Sequence, residues 1–329
     1  MPTVLIGAEP IRHQPGLFRD LLVEVGFKVL DPDAPAKLSE ADLLAWLPRC
    51  DATIAGGEAL TAKVIAACPK LRSIARTGVG YDAVDLKTAT AQNIAVTITP
   101  GANHEAVAEH AFALLLALVK DVRLHDNAIH SGRWERAPLP RPVRGATLGI
   151  VGLGRIGRAV ATRAIAFGMK VLAHEPIDNH HDFTSHHGIE PVTFAELLAR
   201  SDVVSLHLPL VETTRGLMNR DAFLTMKPGA IFLNTARGGL VVEADLFEAV
   251  RSGHLAGAGL DVFEHEPPLA DHPLWTLPNV VLSPHMAGLD ERAMDDMATM
   301  AARCVIDLFA GRWPEASVVN PSIAPGWRW

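Results

Sequence analysis

The chain has 329 residues, of which 49% are hydrophobic, so it is long enough to build two domains with well-buried cores. Its formal net charge is −7 and no stretch carries a block of like charges, which does not favour nucleic acid or an anionic membrane as a partner. Three widely separated cysteines and the lack of a recognisable signal peptide predict a reducing, cytoplasmic location and no thiolate metal site. The longest apolar run, Ala111 to Val119, is too short to span a bilayer.

Short apolar runs alternate with helical patterns along the first hundred residues. This alternation predicts a mainly parallel sheet whose strands are joined by right-handed crossovers. Helices are predicted at Phe18–Val25 and at Glu40–Leu47, the second with Ser39 as its N-cap. The predicted strands of this first half are Val4–Ile6, Val29–Leu30, Thr53–Ile54, Ser73–Ala75 and Val96–Ile98.

The alternation restarts in the second half of the chain, after a long predicted helix at His104 to Lys120 and a surface loop at 133–144. The predicted strands of this half are Thr147–Val151, Lys170–Ala173, Val203–Leu206, Ala230–Asn234, Gly257–Val262 and Val280–Leu282. Six strands with intervening helices are the content of a complete dinucleotide-binding domain. A last helix is predicted at Ala293–Ala310, and we expect it to return to the first lobe.

Residues 152–157 read Gly-Leu-Gly-Arg-Ile-Gly and stand between an apolar strand and a helix predicted at Arg155–Ala166. Gly152 permits a tight turn, Gly154 lets backbone amides approach a pyrophosphate, and Gly157 allows the helix to pack closely on the strand. The next strand ends at Glu175, whose carboxylate can accept hydrogen bonds from both ribose hydroxyls and repels a 2′-phosphate. Strand, glycines, helix and acid in this order predict an NAD(H) site, rather than a glycine turn beside a solvated glutamate.

An arginine, a carboxylate and an imidazole follow three predicted strands of this half, namely Arg237, Glu266 and His285. Because the carboxyl ends of parallel strands meet at one edge of a sheet, we expect the three side chains to face one crevice. An imidazole can exchange the proton of an alcohol, a carboxylate bound to it favours its protonated form, and a guanidinium can bind a carboxylate substrate. Each residue alone is equally explained as a surface ion pair, a turn residue or a loop histidine. Together they predict hydride transfer at a 2-hydroxy or 2-oxo acid.

Eight stretches of sequence carry a resemblance to a known family. They are Arg76 to Asp82, Thr99 to Asn103, Ala108 to His110, Leu148 to Gly157, His207 to Pro209, Asn234 to Gly238, Leu260 to Pro267, and Ser283 to His285. In these stretches the chain resembles the D-2-hydroxyacid dehydrogenases, which include phosphoglycerate dehydrogenases, glyoxylate/hydroxypyruvate reductases and D-lactate dehydrogenases. The resemblance implies an NAD-dependent oxidoreductase acting at the 2-carbon of a small D-2-hydroxy acid. It also implies Arg237 as the substrate-binding arginine, Glu266 as the partner of the histidine and His285 as the acid/base.

The resemblance further implies an α/β fold with two Rossmann-like domains and a homodimer. The domains would be a split flavodoxin-like substrate domain (1–100 plus 290–329) and a doubly wound NAD-binding domain (101–289). The substrate site would include the backbone of Gly78, Val79 and Gly80, together with Asn103 and Arg237. The cofactor site would include Gly152, Gly154, Arg155, Ile156, Gly157, Glu175, His207, Leu208, Pro209, Thr214, Thr235, Ala236, Asp261 and Gly288.

The chain departs from its relatives at two places. Glu175 stands where many of them have aspartate, and the residues after His285 read Met-Ala-Gly-Leu-Asp, where relatives often have a Gly-Gly-(Ser/Tyr)-Thr run. Two alternatives on the same scaffold stay open: a non-catalytic, NAD(H)-sensing corepressor-like protein and a phosphite-type dehydrogenase. The substrate also stays open among phosphoglycerate-, glyoxylate- and hydroxypyruvate-like acids.

Two further features have weaker interpretations. The histidine pairs 180–181 and 186–187 are predicted to lie in a solvated loop rather than in a metal site. Glu58, which follows a predicted strand of the first half, is hypothesised to face the substrate and to disfavour a strongly anionic substrate tail.

Overall fold

A computed structural model describes residues 1–134, 136, 138–175 and 181–329. The chain folds into two compact units. Unit 1 comprises Met1–Asn103 and Leu289–Trp329, and unit 2 comprises His104–Gly288. Within the described ranges, no helix combines the length and the apolar character needed to cross a membrane.

Unit 1 is built on a five-stranded parallel sheet in the order β2-β1-β3-β4-β5. Its strands are β1 (Thr3–Ile6), β2 (Lys28–Leu30), β3 (Ala52–Ala55), β4 (Ser73–Arg76) and β5 (Ala95–Thr97). This is the flavodoxin-like order. The chain adds β2 on one side of β1 and then adds β3, β4 and β5 on the other side. The central strands β3 and β4 are buried along their whole length, as expected for a sheet with helices on both faces.

Four helices connect the strands of unit 1: α1 (Leu17–Glu24), α2 (Glu40–Trp46), α3 (Ala62–Ala66) and α4 (Leu86–Ala91). Ser39 is the N-cap of α2, as predicted. Its hydroxyl accepts a hydrogen bond from the Asp42 N–H, and the Asp42 carboxylate accepts one from the Ser39 N–H. Such reciprocal pairs satisfy two backbone donors that the first helical turn leaves unpaired.

Unit 2 contains a seven-stranded parallel sheet in the order β12-β11-β10-β9-β6-β7-β8. Its strands are β6 (Thr147–Val151), β7 (Lys170–His174), β8 (Glu190–Pro191), β9 (Val203–Leu206), β10 (Ala230–Asn234), β11 (Leu255–Leu260) and β12 (Val280–Leu282). The first six follow the dinucleotide-binding order, and β12 extends the sheet by one strand. The chain adds strands on one side of β6 and then on the other, so a crevice opens at the carboxyl ends of β6 and β9.

The helices of unit 2 are α5 (His104–Val119), α6 (Val122–His130), α7 (Arg155–Ala166), α8 (His181–His187), α9 (Phe194–Arg200), α10 (Arg220–Thr225) and α11 (Glu243–Arg251). Half of the side chains of α5 are buried, and this helix packs against α7 and against the β10–β12 side of the sheet. The chain then returns to unit 1 at Leu289. There α12 (Glu291–Phe309), capped by the Asp290 carboxylate, packs on α1, β3 and β4.

The predicted fold class is confirmed, and four strands of unit 2 have the predicted bounds. Two predictions about local structure are wrong, and one strand was not predicted. The strand predicted at Gly257–Val262 ends at Leu260, because the chain turns at Asp261, whose carbonyl accepts from the His285 N–H. The short edge strand β8 was not predicted, since Pro191 weakens its strand pattern. The solvated loop predicted around the histidine pairs contains the helix α8 over His181–His187, whereas His180 lies outside the described residues.

Candidate active site

The glycines that follow β6 make the turn into α7. Gly152 has a φ of +98°, and a Cβ there would lie 2.7 Å from the His207 carbonyl oxygen. A Cβ on Gly157 would overlap the Gly152 carbonyl oxygen, so this glycine sets how closely α7 lies on the strand. Both positions therefore require glycine for packing and backbone conformation.

The same turn leaves room for a ligand in front of α7. No described atom lies within 4 Å of the Cβ position of Gly154, the residue before the helix begins. The twelve-residue helix directs its N-terminal amides and the positive end of its dipole to this space. Glu175, directly after β7, accepts a hydrogen bond from the Leu153 N–H through Oε2 at 2.7 Å. Open space, unpaired helix amides and a carboxylate at the neighbouring strand end fit a dinucleotide.

Two further strand ends line the same edge of unit 2. His207 follows β9, and its Nε2 lies 2.9 Å from the Ser205 hydroxyl, while its Nδ1 is buried with no partner among the described residues. Burial lowers the pKa of His207 to about 3, so its ring is neutral at physiological pH. Thr235, after β10, has a buried hydroxyl that also has no partner within the described ranges. Buried polar atoms of this kind are places where a bound ligand can complete a hydrogen bond.

The other residues that the family resemblance assigned to the cofactor lie around these strand ends. The Thr214 hydroxyl closes the 209–214 turn by accepting from the Val211 N–H and donating to the Pro209 carbonyl. The remaining assigned residues lie at the ends of these elements. Arg155 and Ile156 begin α7, Leu208 follows β9, Ala236 follows β10, and Gly288 follows His285.

Arg237 is held by a buried asparagine at the end of β10. The Asn234 side chain accepts from the Ala236 N–H at 3.0 Å and donates to the Arg237 carbonyl at 2.8 Å. Gly238, the next residue, lies against the Phe263 backbone so closely that a Cβ would overlap it. The backbone of Arg237 is therefore fixed from both sides, and one guanidinium N–H donates to the Ala236 carbonyl.

Glu266 and His285 form a hydrogen-bonded pair. The Glu266 Oε2 lies 2.6 Å from the His285 Nδ1, and its Oε1 accepts from the Phe263 N–H at 3.0 Å. Burial alone would raise the pKa of Glu266, but the hydrogen bond and charge of His285, the Phe263 N–H and the Arg237 charge together lower it. An ionised carboxylate can only accept, so the Nδ1 carries the proton and Nε2 is the nitrogen left for proton exchange.

The segment that carries His285 is held by Asp261, whose side chain is fully buried. The Asp261 carbonyl accepts from the His285 N–H at 2.8 Å. Its carboxylate accepts from the N–H groups of Met286 and Ala287, each at 2.8 Å. This clamp maintains His285 at a φ of +56°, a left-handed conformation that is uncommon for residues other than glycine. The sequence does not reveal this role, because the Met286 and Ala287 N–H groups are distant from Asp261 along the chain.

The substrate residues predicted from the resemblance in unit 1 lie in a turn after β4. Gly78 has a φ of +135°, and its N–H donates to the Thr99 hydroxyl at 2.8 Å. This N–H is therefore already engaged within unit 1. The Gly80 carbonyl accepts from the Arg76 Nε. Asn103, the last residue of this part of unit 1, has a buried Oδ1 with no partner among the described residues.

Glu58 does not present an exposed charge, contrary to the hypothesis drawn from the sequence. It is only 1% exposed, its Oε2 accepts from the Gly56 N–H, and its Oε1 lies where a Cβ on Gly7 would be. Burial raises the pKa of Glu58. The backbone N–H groups of Glu58 and Gly56 and the charges of Arg76 and Arg12 act in the opposite direction. Its carboxyl group is therefore part of the packing between the ends of β1 and β3.

The sheet order and the glycine turn define a dinucleotide-binding fold, and the Glu266–His285 pair at the same sheet edge is a candidate acid/base centre. Residues 112–287 match the family model described as the D-isomer specific 2-hydroxyacid dehydrogenase, NAD binding domain. The chain belongs to the D-isomer specific 2-hydroxyacid dehydrogenase family. Its cofactor is accordingly NAD, as the sequence predicted.

Known proteins of the family are similar over most of this chain. It is 43% identical over 291 residues to the D-3-phosphoglycerate dehydrogenase of Mycobacterium leprae, covering 86% of this chain but 55% of that protein. The chain thus spans about half the length of that relative. It is also 43% identical over 280 residues to the glyoxylate reductase of Korarchaeum cryptofilum, covering 83% and 84% of the two chains. The crystal structure of D-lactate dehydrogenase from Aquifex aeolicus, complexed with NAD and lactic acid, matches with a TM-score of 0.84 and 27% identity, covering 97% and 99%.

The carboxylate after β7 is expected to set the preference between NADH and NADPH. In Glu175→Gln the amide oxygen can still accept from the Leu153 N–H, but the negative charge that repels a 2′-phosphate is removed. We expect the ratio of kcat/KM for NADPH to that for NADH to rise at least about tenfold, because facing like charges cost several kcal/mol. Steady-state kinetics with both cofactors measure the ratio. Glu248→Gln, which neutralises an exposed carboxylate on α11, is the control, and equal ratios in both variants would contradict this assignment of Glu175.

Proposed function

We propose that this chain catalyses the NAD-dependent interconversion of a small D-2-hydroxy acid and the corresponding 2-oxo acid. The observation that carries the proposal is the 2.6 Å contact between Glu266 and His285, at the same sheet edge as the glycine turn. Arg237 comes from the neighbouring strand end and contributes to the electrostatics of Glu266. The family relationship supports the same reaction class and the D-configuration.

The chain's own residues would move the proton of this reaction. When bound, NADH supplies the hydride that reduces C2 of a 2-oxo acid. The Nε2 of protonated His285 donates its proton to the 2-oxo oxygen, which becomes the hydroxyl group of the product. Glu266 keeps the Nδ1 proton in place and stabilises the protonated ring before transfer. In the opposite direction neutral His285 accepts the hydroxyl proton, so the same atom serves as acid and as base.

Arg237 is proposed to bind the substrate carboxylate. Its guanidinium provides two parallel N–H donors, which match the geometry of a carboxylate and also polarise a neighbouring oxo group. The backbone clamp by Asn234 fixes where this side chain begins. For unit 1, the N–H groups of Val79 and Gly80 are proposed as further carboxylate donors, since the Gly78 N–H is taken by Thr99. Asn103 is proposed as a substrate-binding side chain because its Oδ1 is buried without a described partner.

A second copy of the chain is proposed as a partner in a homodimer. Exposed apolar side chains are concentrated on α6 and the segment after it, where Val122, Leu124 and Ile129 are each about half exposed and Trp134 and Leu139 more than three-quarters exposed. Exposed apolar side chains that lie close together along the chain mark a candidate interface. A cytoplasmic location is proposed as well, because Cys50, Cys68 and Cys304 are all free and buried.

The reaction class is tested by NADH oxidation with glyoxylate, hydroxypyruvate, pyruvate and phosphohydroxypyruvate. We expect turnover with at least one of these acids. His285→Ala should lower kcat about 10²- to 10⁴-fold, the usual contribution of a general acid. His186→Ala, at an exposed position of α8, is the matched control and should retain activity. Near-normal reduction by His285→Ala would contradict the mechanism, and NADH binding without turnover of any acid would favour the sensing protein instead.

The direction of the pH dependence follows from the Glu266–His285 pair. Reduction needs protonated His285, so its kcat/KM should fall as pH rises, whereas oxidation should fall as pH decreases. Because the pKa of Glu266 is lowered, its charge is lost only in acid below the ordinary range of a glutamic acid. In Glu266→Gln that charge is absent at every pH, so kcat/KM should fall more for reduction, which uses the protonated ring, than for oxidation. Measurements in both directions give the two losses, and equal losses would show that Glu266 does not support the protonated ring.

The proposed dimer is tested by substitution on α6. Wild-type protein should have twice the 35.3 kDa mass of the chain in light scattering coupled to gel filtration. Ile129→Asp places a charge on the exposed apolar surface and should give a monomer. Leu224→Asp, at a similarly exposed position on α10, is the control and should remain a dimer. A dimer that survives Ile129→Asp together with Leu124→Asp would locate the interface elsewhere.

A further inference from the structure

A histidine of α5 lies against the buried aspartate that holds the His285 segment. The His110 Nε2 is 2.7 Å from the Ser283 hydroxyl oxygen and 3.5 Å from the Asp261 Oδ1. The Ser283 hydroxyl is in turn 2.6 Å from the same Asp261 oxygen. His110 is 173 residues away from Ser283 in sequence, so these contacts join the long helix α5 to the loop after β12.

The direction of each hydrogen bond in this cluster can be assigned. The carboxylate of Asp261 can only accept, so the single hydroxyl proton of Ser283 is donated to it. The Ser283 oxygen then accepts from His110, which places a proton on the His110 Nε2. This holds whether the ring is neutral or protonated, because the Nε2 carries a proton in the charged form as well. The chain of donors therefore runs from His110 through Ser283 to Asp261.

The cluster fixes the carboxylate that clamps the residues after His285. The Asp261 Oδ1 accepts from both Ser283 and the Met286 N–H, and the Oδ2 accepts from the Ala287 N–H. If the carboxylate rotated away from these donors, its oxygens would be buried without enough hydrogen bonds. The left-handed turn at His285 would then lose the contacts that hold it. The hydrogen bond from His110 favours the Ser283 rotamer that prevents this, and α5, which carries His110, buries the nearby side chains of Ala108, Ala111 and Phe112.

We propose that His110 is a positioning residue for the acid/base centre, acting through Ser283 and Asp261 on the backbone of residues 285–287. The inference rests on the proposed function only in taking His285 as the acid/base. Removing the His110 N–H should loosen the segment and lower kcat, while the KM for the 2-oxo acid changes less, because Asn234 positions Arg237 independently.

Three variants separate this role from general stability. His110→Ala removes the donor, His110→Gln places an amide N–H close to the position of Nε2, and His186→Gln is the control on the surface of α8. We expect kcat to fall at least about tenfold in His110→Ala, the usual effect of a lost hydrogen bond to a charged cluster, and to recover to within about threefold of wild type in His110→Gln. A fourth variant, His110→Leu, fills the space without an N–H donor and should stay as low in kcat as His110→Ala, whereas a merely space-filling role would let it recover as the glutamine does.

Hydrogen exchange measured by mass spectrometry gives a readout that does not depend on turnover. Amides of Met286 and Ala287 should exchange at least about tenfold faster in His110→Ala than in wild type and should be protected again in His110→Gln. Unchanged protection in His110→Ala, or equal kcat values for the alanine and glutamine variants, would overturn the inference. Failure of the wild type to reduce any 2-oxo acid would instead count against the proposed function, and the exchange measurement would still decide the role of His110.

Discussion

The proposed acid/base centre depends on how one buried carboxylate satisfies its hydrogen bonds. Asp261 has no access to solvent, so each of its oxygens must find donors within the protein. The donors that it finds are the Met286 and Ala287 backbone and the Ser283 hydroxyl. In meeting this requirement the aspartate ties the end of β11 to the segment after β12. The hydrogen bonds that satisfy the buried carboxylate therefore also fix the backbone of the segment that carries the His285 imidazole.

The parallel sheet positions the other residues of the proposed site. The carboxyl ends of β6, β7, β9, β10, β11 and β12 all lie at one edge of unit 2, and each is followed by a residue to which the proposed function gives a role. Rigid strands up to those ends allow short turns to place side chains accurately, which long loops do less well. Asn234 fixes the turn after β10, and Asp261, which follows β11, fixes the segment after β12, so each polar anchor holds the backbone beside a residue of the proposed site.

Much of this could be predicted from the sequence, for identifiable physical reasons. Buried parallel strands appear as apolar β-branched runs, which is why Thr147–Val151 and Ala230–Asn234 had the predicted bounds. Gly152 and Gly157 were predictable because the backbone conformation at the first and the close packing at the second admit no other residue. The clamp by Asp261 and the engagement of the Gly78 N–H were not predictable, because both depend on partners that are distant in sequence or on side-chain rotamers. The burial of Glu58 likewise arises from the missing side chain of Gly7, which periodicity does not reveal.

The left-handed backbone of His285 limits how this site can change during evolution. At a φ of +56°, β-branched and bulky residues are strongly disfavoured, whereas glycine, asparagine, aspartate and histidine are tolerated. A lineage that abandons catalysis can therefore replace the imidazole at low conformational cost by only a few residue types. Descendants with asparagine or glycine here would keep the loop and the fold intact while losing the proposed proton transfer. Loss of the proposed activity without loss of the fold is thus structurally easy at this position.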